Sequence, residues 1–453
     1  MDTQSVITRT ITVAGGRYAP GHLGELTQHL PFEMVDAALT ATRTTQSRLR
    51  DLPARVVVYL ILAGCLFPEV GYLGVWRKLT AGLTGLPTAT PTAGGLGQAR
   101  HRLSPAPLRW LFDLLRGPAA TARASGIRWR GLLVCAIDGT TLTVPDNPRT
   151  LARFTKQRGN HGGTGYPQIR LVAVVACGTR TLIDAVFGPT TTGETSYTPR
   201  LLRSLQPGMI LLADRNFAAA GLLADIAATG AHVLVRLKNG RKTPILARYS
   251  DGSYLSMLGK LRVRVIEAEI TITTTAGRRT ELYRLATTVL DPREYPASEV
   301  IRLYHQRWEI ETAYLELKSS ILGGRVLRAR TPSGVEQEVY ALLVVYQLLR
   351  TAMADATSTR PGVDPDRAGF SIAWQAARDL LIQADNVIAG TAIDLVGTIG
   401  RHVLADLLPD RRLRVCPRIV KRAISKYQAR GPVIDRTSYQ ATLGIDILMP
   451  ADP

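Results

Sequence analysis

Tyr304-His305-Gln306-Arg307-Trp308-Glu309-Ile310-Glu311-Thr312-Ala313-Tyr314-Leu315-Glu316-Leu317-Lys318 lies in the middle of a segment, Ser298 to Ile321, whose natural reading is one long helix. At about 100° per residue, Tyr304, Arg307, Glu311 and Lys318 fall within roughly 60° of one another on a single face. Glu309 and Glu316 lie roughly 120 to 140° around from Tyr304, where an ordinary solvated acid is expected. The pattern therefore singles out Glu311 among the three acids. It sets a carboxylate between a guanidinium and an ammonium on one stripe, which a coincidence of surface charges explains poorly.

Two further acids end apolar runs. Asp138 follows Leu132-Leu133-Val134-Cys135-Ala136-Ile137, which reads as a core strand. A carboxylate there is costly unless a cation compensates it. The pair Asp138-Gly139 between two β-like runs also spells a hairpin turn, and on this motif alone the turn is the commoner reading. Asp214 closes Met209-Ile210-Leu211-Leu212-Ala213 and opens Arg215-Asn216-Phe217 ahead of an alanine-rich helix. For a lone Asp in that position an N-cap is the commoner role. Adjacent strands could nevertheless bring both carboxylates to one ion. With Glu311 they make an all-oxygen set that suits two Mg²⁺ ions, with Mn²⁺ able to substitute. One ion would activate water or a 3′-hydroxyl and the other would stabilise the departing oxygen. Arg307 and Lys318 would grip phosphates beside them.

The composition narrows the partners. The chain has 453 residues, with 56 Lys and Arg against 36 Asp and Glu, for a net charge of +20. Such a charge decorates surfaces that meet polyanions, and its spread along the chain fits nucleic acid better than a membrane-surface helix. The most continuous apolar run, Val56 to Phe67, stops at Pro68 short of the ~20 residues a bilayer span needs. No membrane partner is expected, and the N-terminus lacks a secretory pattern, so a cytoplasmic, nucleoid-associated location is anticipated. Cys65, Cys135, Cys177 and Cys416 are widely separated and read as reduced thiols, with no zinc-ligand spacing.

Outward from the acids, residues 20 to 115 read as helical, broken at Leu86-Pro87-Thr88-Ala89-Thr90-Pro91-Thr92. The helix after that break carries Gln98, Arg100 and Arg102, which suit major-groove reading as well as a solvated basic face. From residue 126 the pattern turns to short apolar runs: Leu132 to Ile137, Ile169 to Ala176, Thr181 to Phe187, Met209 to Ala213 and His232 to Leu237. A helix is expected at Thr198 to Leu205. The result is a mixed sheet flanked by helices. Residues 240 to 290 read as inserted β-structure, and a further helix is expected at Val335 to Met353. Arg401 to Arg430 holds nine Lys or Arg and reads as a phosphate-contacting surface or a solubilising tail.

Tyr304-x₂-Arg307-x₃-Glu311-x₆-Lys318 resembles the Y-R-E-K signature of bacterial insertion-sequence transposases of the insertion element four family. Ile137-Asp138-Gly139-Thr140 and Asp214-Arg215-Asn216-Phe217 look like that family's first and second aspartate segments. Phe67-Pro68-Glu69-Val70-Gly71-Tyr72 and Trp76 are similar to its N-terminal helical domain. The resemblance implies a multidomain α/β chain with a ribonuclease H-like mixed sheet core, a helical N-terminal domain and a β-rich insertion. The expected units are a helical DNA-binding domain at 1–125, the first part of the core at 126–239, the insertion at 240–292, the second part of the core at 293–355 and a helical, basic region at 356–453. It also implies metal held by Asp138, Asp214 and Glu311, DNA backbone contacts from Tyr304, Arg307 and Lys318, and a homodimer acting on paired transposon ends and target DNA. The function implied is cut-and-paste transposition. The alternatives are a catalytically inactive repressor or architectural protein derived from a transposase, and a stand-alone nuclease. Related enzymes that form end hairpins stack a flipped base on an aromatic of the insertion. Here the insertion offers Tyr249, Tyr254 and Tyr283 but no tryptophan.

Overall fold

The computed structural model describes residues 17–119, 126–384, 394–409 and 439–449 apart from isolated positions, together with short backbone pairings at 11–12 and 414–415. Most of the basic stretch Arg401 to Arg430, and Cys416 within it, therefore lies outside the described residues.

The N-terminal region is helical as expected, with α1 (Phe32–Ala41), α2 (Ala54–Leu66), α3 (Tyr72–Thr80), α4 (Ala93–Arg102) and α5 (Ala106–Leu115). Helix α2 starts immediately after Pro53, whose fixed φ and missing N–H are harmless there. Nearly every side chain of α2 is buried, because a helix apolar on all sides must be surrounded by protein.

Beyond residue 126 the chain forms β1 (Leu132–Thr143), β2 (Gly162–Ala176), β3 (Leu182–Pro189), β4 (Met209–Ala213), α6 (Ala220–Ala228) and β5 (His232–Arg236). Strand β2 is antiparallel to both β1 and β3, whereas β1, β4 and β5 are mutually parallel neighbours. The order β3-β2-β1-β4-β5 with that one reversed strand is the ribonuclease H-like arrangement. All five residues of β4 are buried, as a strand covered on both faces requires. Strict alternation along β1 divides two cores: Leu132, Val134 and Ala136 face one, and Leu133, Cys135 and Ile137 face the other. The strand continues through Asp138 to Thr143, so Asp138-Gly139 is not a hairpin turn. The expected helix at Thr198 to Leu205 is a 3₁₀ turn, Thr198–Ser204, after one α-turn at Glu194–Tyr197.

The inserted β-structure is built on β6 (Tyr254–Leu258), β7 (Leu261–Thr274) and β8 (Gly277–Thr287), with the two-residue strand Ala247–Arg248 paired to β6. It extends the core sheet directly, because β8 pairs antiparallel with β5. The expected single helix over Ser298 to Ile321 is instead a chain of helical pieces: α7 (Ala297–Tyr304), a 3₁₀ turn at His305–Trp308, α8 (Glu309–Leu315) and a π-turn at Glu316–Ile321. Helix α9 (Pro332–Ser358) is longer than the sequence pattern indicated and packs against α2 and α5. It is long and apolar enough by composition to cross a membrane, but 83% of its most apolar window is buried in the protein, as befits a central core helix. Helices α10 (Phe370–Gln383) and α11 (Gly397–Ala405) cover its C-terminal half. The C-terminal region also supplies β9 (Thr442–Ile447), which returns to pair antiparallel with β7. Cys65, Cys135 and Cys177 are buried free thiols.

Candidate active site

Because Asp138 continues the parity of Val134 and Ala136, its side chain leaves the sheet on the face covered by α7 and α8. Its carboxylate accepts the Gly139 amide at 2.8 Å. On the neighbouring parallel strand, Asp214 follows β4 and caps the next turn, accepting from the Asn216 amide at 2.8 Å and from its side-chain Nδ2 at 3.2 Å. Capping and cleft lining are therefore compatible roles for one carboxylate. Glu311 comes from the first turn of α8. All three acids line one cleft of about 520 Å³, together with Arg307, Lys318 and Glu194.

Arg307 bridges the acids, its guanidinium lying 3.6 Å from Asp138 and 3.3 Å from Glu311. Lys318 donates to the Thr140 hydroxyl at 3.1 Å, at the rim of the same cleft. Burial pushes the Asp138 carboxyl up to about 7; the Gly139 amide and Arg307 pull against this, and Asp214 and Glu311 add to it. Arg307 alone does not compensate Asp138. Among the described residues no three His, Cys, Asp or Glu side chains converge as a ready-made metal cage. The donor set itself, three carboxylates in an open polar cleft with one desolvated acid, fits hard divalent cations that keep several waters.

Several expectations change in three dimensions. Tyr304 does not face the cleft: it is 6% exposed, its ring stands edge-on to Tyr283, and its hydroxyl donates to the Ala213 carbonyl at 3.1 Å. It braces the end of β4 just before Asp214. Glu309 and Glu316 are not solvated, because the helix's far side is covered by α9 and by the turn between β2 and β3. Glu309 pairs with Arg180 at 2.6 Å, and Glu316, 7% exposed, meets Arg180 at 3.4 Å and is also paired to Arg350. On α4, Gln98 and Arg102 are exposed, but Arg100 points the other way, its guanidinium 3.8 Å from the centre of the Tyr72 ring. A two-residue step turns a helix by about 200°, so the three cannot share one face.

Sequence reasoning missed Glu194, Tyr314 and Arg180. Glu194 lies across Gly139, where a Cβ would come within 2.4 Å of its carboxyl carbon. The glycine after the first acid is thus the one signal that could have hinted at a close neighbour. No spacing connects Arg180 to Glu309 and Glu316.

A β3-β2-β1-β4-β5 core with acids on β1, after β4 and on a later helix defines a ribonuclease H-like protein with a carboxylate cleft flanked by Arg and Lys. The profile described as the insertion element 4 transposase N-terminal matches residues 20–113, and that of the transposase DDE domain matches residues 129–348. The chain is 27% identical over 415 residues to the transposase InsG for insertion sequence element IS4 of Escherichia coli (strain K12), covering 89% of this chain and 93% of that protein. It is 28% identical over 201 residues to the putative transposase InsZ of the same strain, covering 44% of this chain and 66% of that one. A piggyBac transposase synaptic complex with hairpin DNA, solved by cryo-EM, aligns at a TM-score of 0.41 and 10% identity over 84% of this chain and 82% of that one. The chain belongs to the insertion element 4 family of DDE transposases.

Proposed function

We propose that this transposase binds the terminal inverted repeats of its own element, cleaves the DNA there and joins the freed ends to target DNA, working as a homodimer on paired ends. The observation that carries the reading is the shared cleft: Asp138, Asp214 and Glu311 line it together, with Arg307 and Lys318 at their side. The three carboxylates would hold two Mg²⁺, or Mn²⁺ in their stead. Bound there, the ions supply Lewis acidity for the attacking water or 3′-hydroxyl and for the departing oxygen. Arg307 and Lys318 supply the positive charge that orients the scissile phosphate. The buried Tyr304 acts indirectly by bracing Ala213 and so fixing Asp214. Gln98 and Arg102, on the exposed side of α4, contact the transposon end.

The test is cleavage and strand transfer of labelled end DNA in Mg²⁺, with random duplex as the control. Asp138→Asn, Asp214→Asn and Glu311→Gln should each abolish both steps while retaining the gel shift, and Ca²⁺ should allow binding without cutting. Cleavage surviving in any of these variants would refute the assignment of that acid. Binding by the parent protein without Mg²⁺-dependent cutting would identify a DNA-binding derivative, and cutting without end preference a general nuclease.

A further inference from the structure

Tyr314 follows Glu311 by three residues on α8 and is buried against the sheet. Its hydroxyl is used twice: it accepts the Ala173 amide of β2 at 3.1 Å and donates to the Asp138 carbonyl of β1 at 2.6 Å. Asp138 and Ala173 are register partners across the β1–β2 ladder. One side chain of the third-acid helix is therefore bonded to both strands at the very residue that carries the first acid.

The other ties between this helical segment and Asp138 are looser. Arg307 reaches Asp138 only at 3.6 Å, and Lys318 bonds the neighbouring Thr140. A phenol has two χ angles and a rigid ring, so a bond from its tip to main chain fixes the helix-to-strand separation more firmly than a long flexible cation does. Burial also pushes the Tyr314 phenol well above its ordinary range, so the donor keeps its proton at any working pH.

We propose that Tyr314 is a positioning residue for the cation site: by joining α8 to the Asp138–Ala173 pair, its hydroxyl sets the separation of Asp138 and Glu311 and hence the affinity of the cleft for divalent cations. This rests on the reading that those acids hold metal. Tyr314→Phe keeps the ring in its packing. It leaves the Asp138 carbonyl and the Ala173 amide opposite one another, able to pair directly as strand partners, so the fold survives while the tie to the helix is lost.

Tyr346 provides the control, since its hydroxyl lies 3.0 Å from Glu316 and 3.1 Å from the Arg180 carbonyl, on the far side of the same helix. Mn²⁺ binding to the full-length protein, followed by the electron paramagnetic resonance of free Mn²⁺, reads the effect without catalysis. Tyr314→Phe should raise the Mn²⁺ dissociation constant by about tenfold, the size usual for losing a group that orients a metal ligand. The Mg²⁺ needed for half-maximal cleavage should rise by a similar factor, with end binding unchanged and the rate recovering at high Mg²⁺. Tyr346→Phe should lower stability and leave the Mn²⁺ constant where it was. An unchanged constant in folded Tyr314→Phe, or an equal shift in Tyr346→Phe, overturns the proposal. If Tyr314→Phe does not fold, amide exchange in wild-type protein decides: Ca²⁺ should slow exchange in the peptide containing Ala173, and unaltered exchange overturns the idea. Asp138→Asn that binds Mn²⁺ as tightly as wild type would instead sink the metal reading itself.

Discussion

The Arg180 guanidinium, buried in the turn between β2 and β3, stands 3.4 Å from the Glu316 carboxylate and grips the helical segment of Glu311 from behind. Arg180 also pairs with Glu309 and with Asp366, and Arg350 joins Glu316 from α9. The Arg180 backbone sits at φ 57°, a conformation that L residues seldom adopt. The cluster ties the core sheet, the third-acid helix and the C-terminal region together at one buried point.

Glu316→Gln should therefore destabilise the protein by about 3–5 kcal/mol, the usual cost of removing one partner from a buried ion pair. Glu311→Gln, at a half-exposed position, should cost no more than about 1 kcal/mol while removing cleavage. Urea unfolding of the two variants separates these effects. Equal midpoints would show that the buried cluster does not hold the helix.

The elevated Asp138 carboxyl makes stability depend on pH in the absence of divalent cations. Its folded value, about 7, exceeds its ordinary 3.8, so between those limits the folded state binds more protons than the unfolded one. Stability then falls as pH rises from about 4 to about 7. Asp138→Asn should remove this slope and be the more stable protein at pH 8 in EDTA, by at most about 4 kcal/mol, with the advantage shrinking toward pH 4. A difference that stays constant across that range contradicts the prediction.

Tyr304, Arg307 and Lys318 should part company when mutated. Tyr304→Phe removes a bond to Ala213 but no group that faces the cleft, so the salt dependence of end-DNA binding should not change. Lys318→Ala should reduce the slope of log affinity against log salt by about 1, as expected for one phosphate contact. Arg307→Ala should do the same and also lower cleavage, since it leaves Asp138 and Glu311 unbridged. A slope altered by Tyr304→Phe would mean that the phenol reaches DNA after all.

On α4, Gln98→Ala and Arg102→Ala together should reduce the preference for end sequence over random duplex, with little change in melting. Arg100→Ala should instead lower stability by about 1–2 kcal/mol, because its guanidinium is packed on Tyr72. Competition gel shifts and thermal melts distinguish the two faces, and a loss of end preference confined to Arg100→Ala would reverse the assignment.

Much was legible from local pattern. The five apolar runs became β1 to β5 because strands of a sheet covered on both faces need nearly continuous apolar residues, and the β-structure of residues 240 to 290 was legible as well. Asp138 and Asp214 could be picked out because each ends an apolar run, and Glu311 because it shares a helix stripe with Arg307 and Lys318; the structure brings all three to one cleft.

The amino-acid sequence by itself determined which carboxylates stand out as candidates and on which side of its own helix or strand each one lies, since periodicity is a property of the local backbone. Only the tertiary structure decided what covers those sides. Tyr304 and Arg307 share a stripe, yet one is sealed beneath Tyr283 and the other opens on the cleft. Glu316 occupies a side that periodicity alone marks as solvent, and Arg180, more than a hundred residues earlier in the chain, turns it into a buried ion pair. Burial depends on which distant segments pack together, and long-range packing leaves no period in the sequence for a local reading to find.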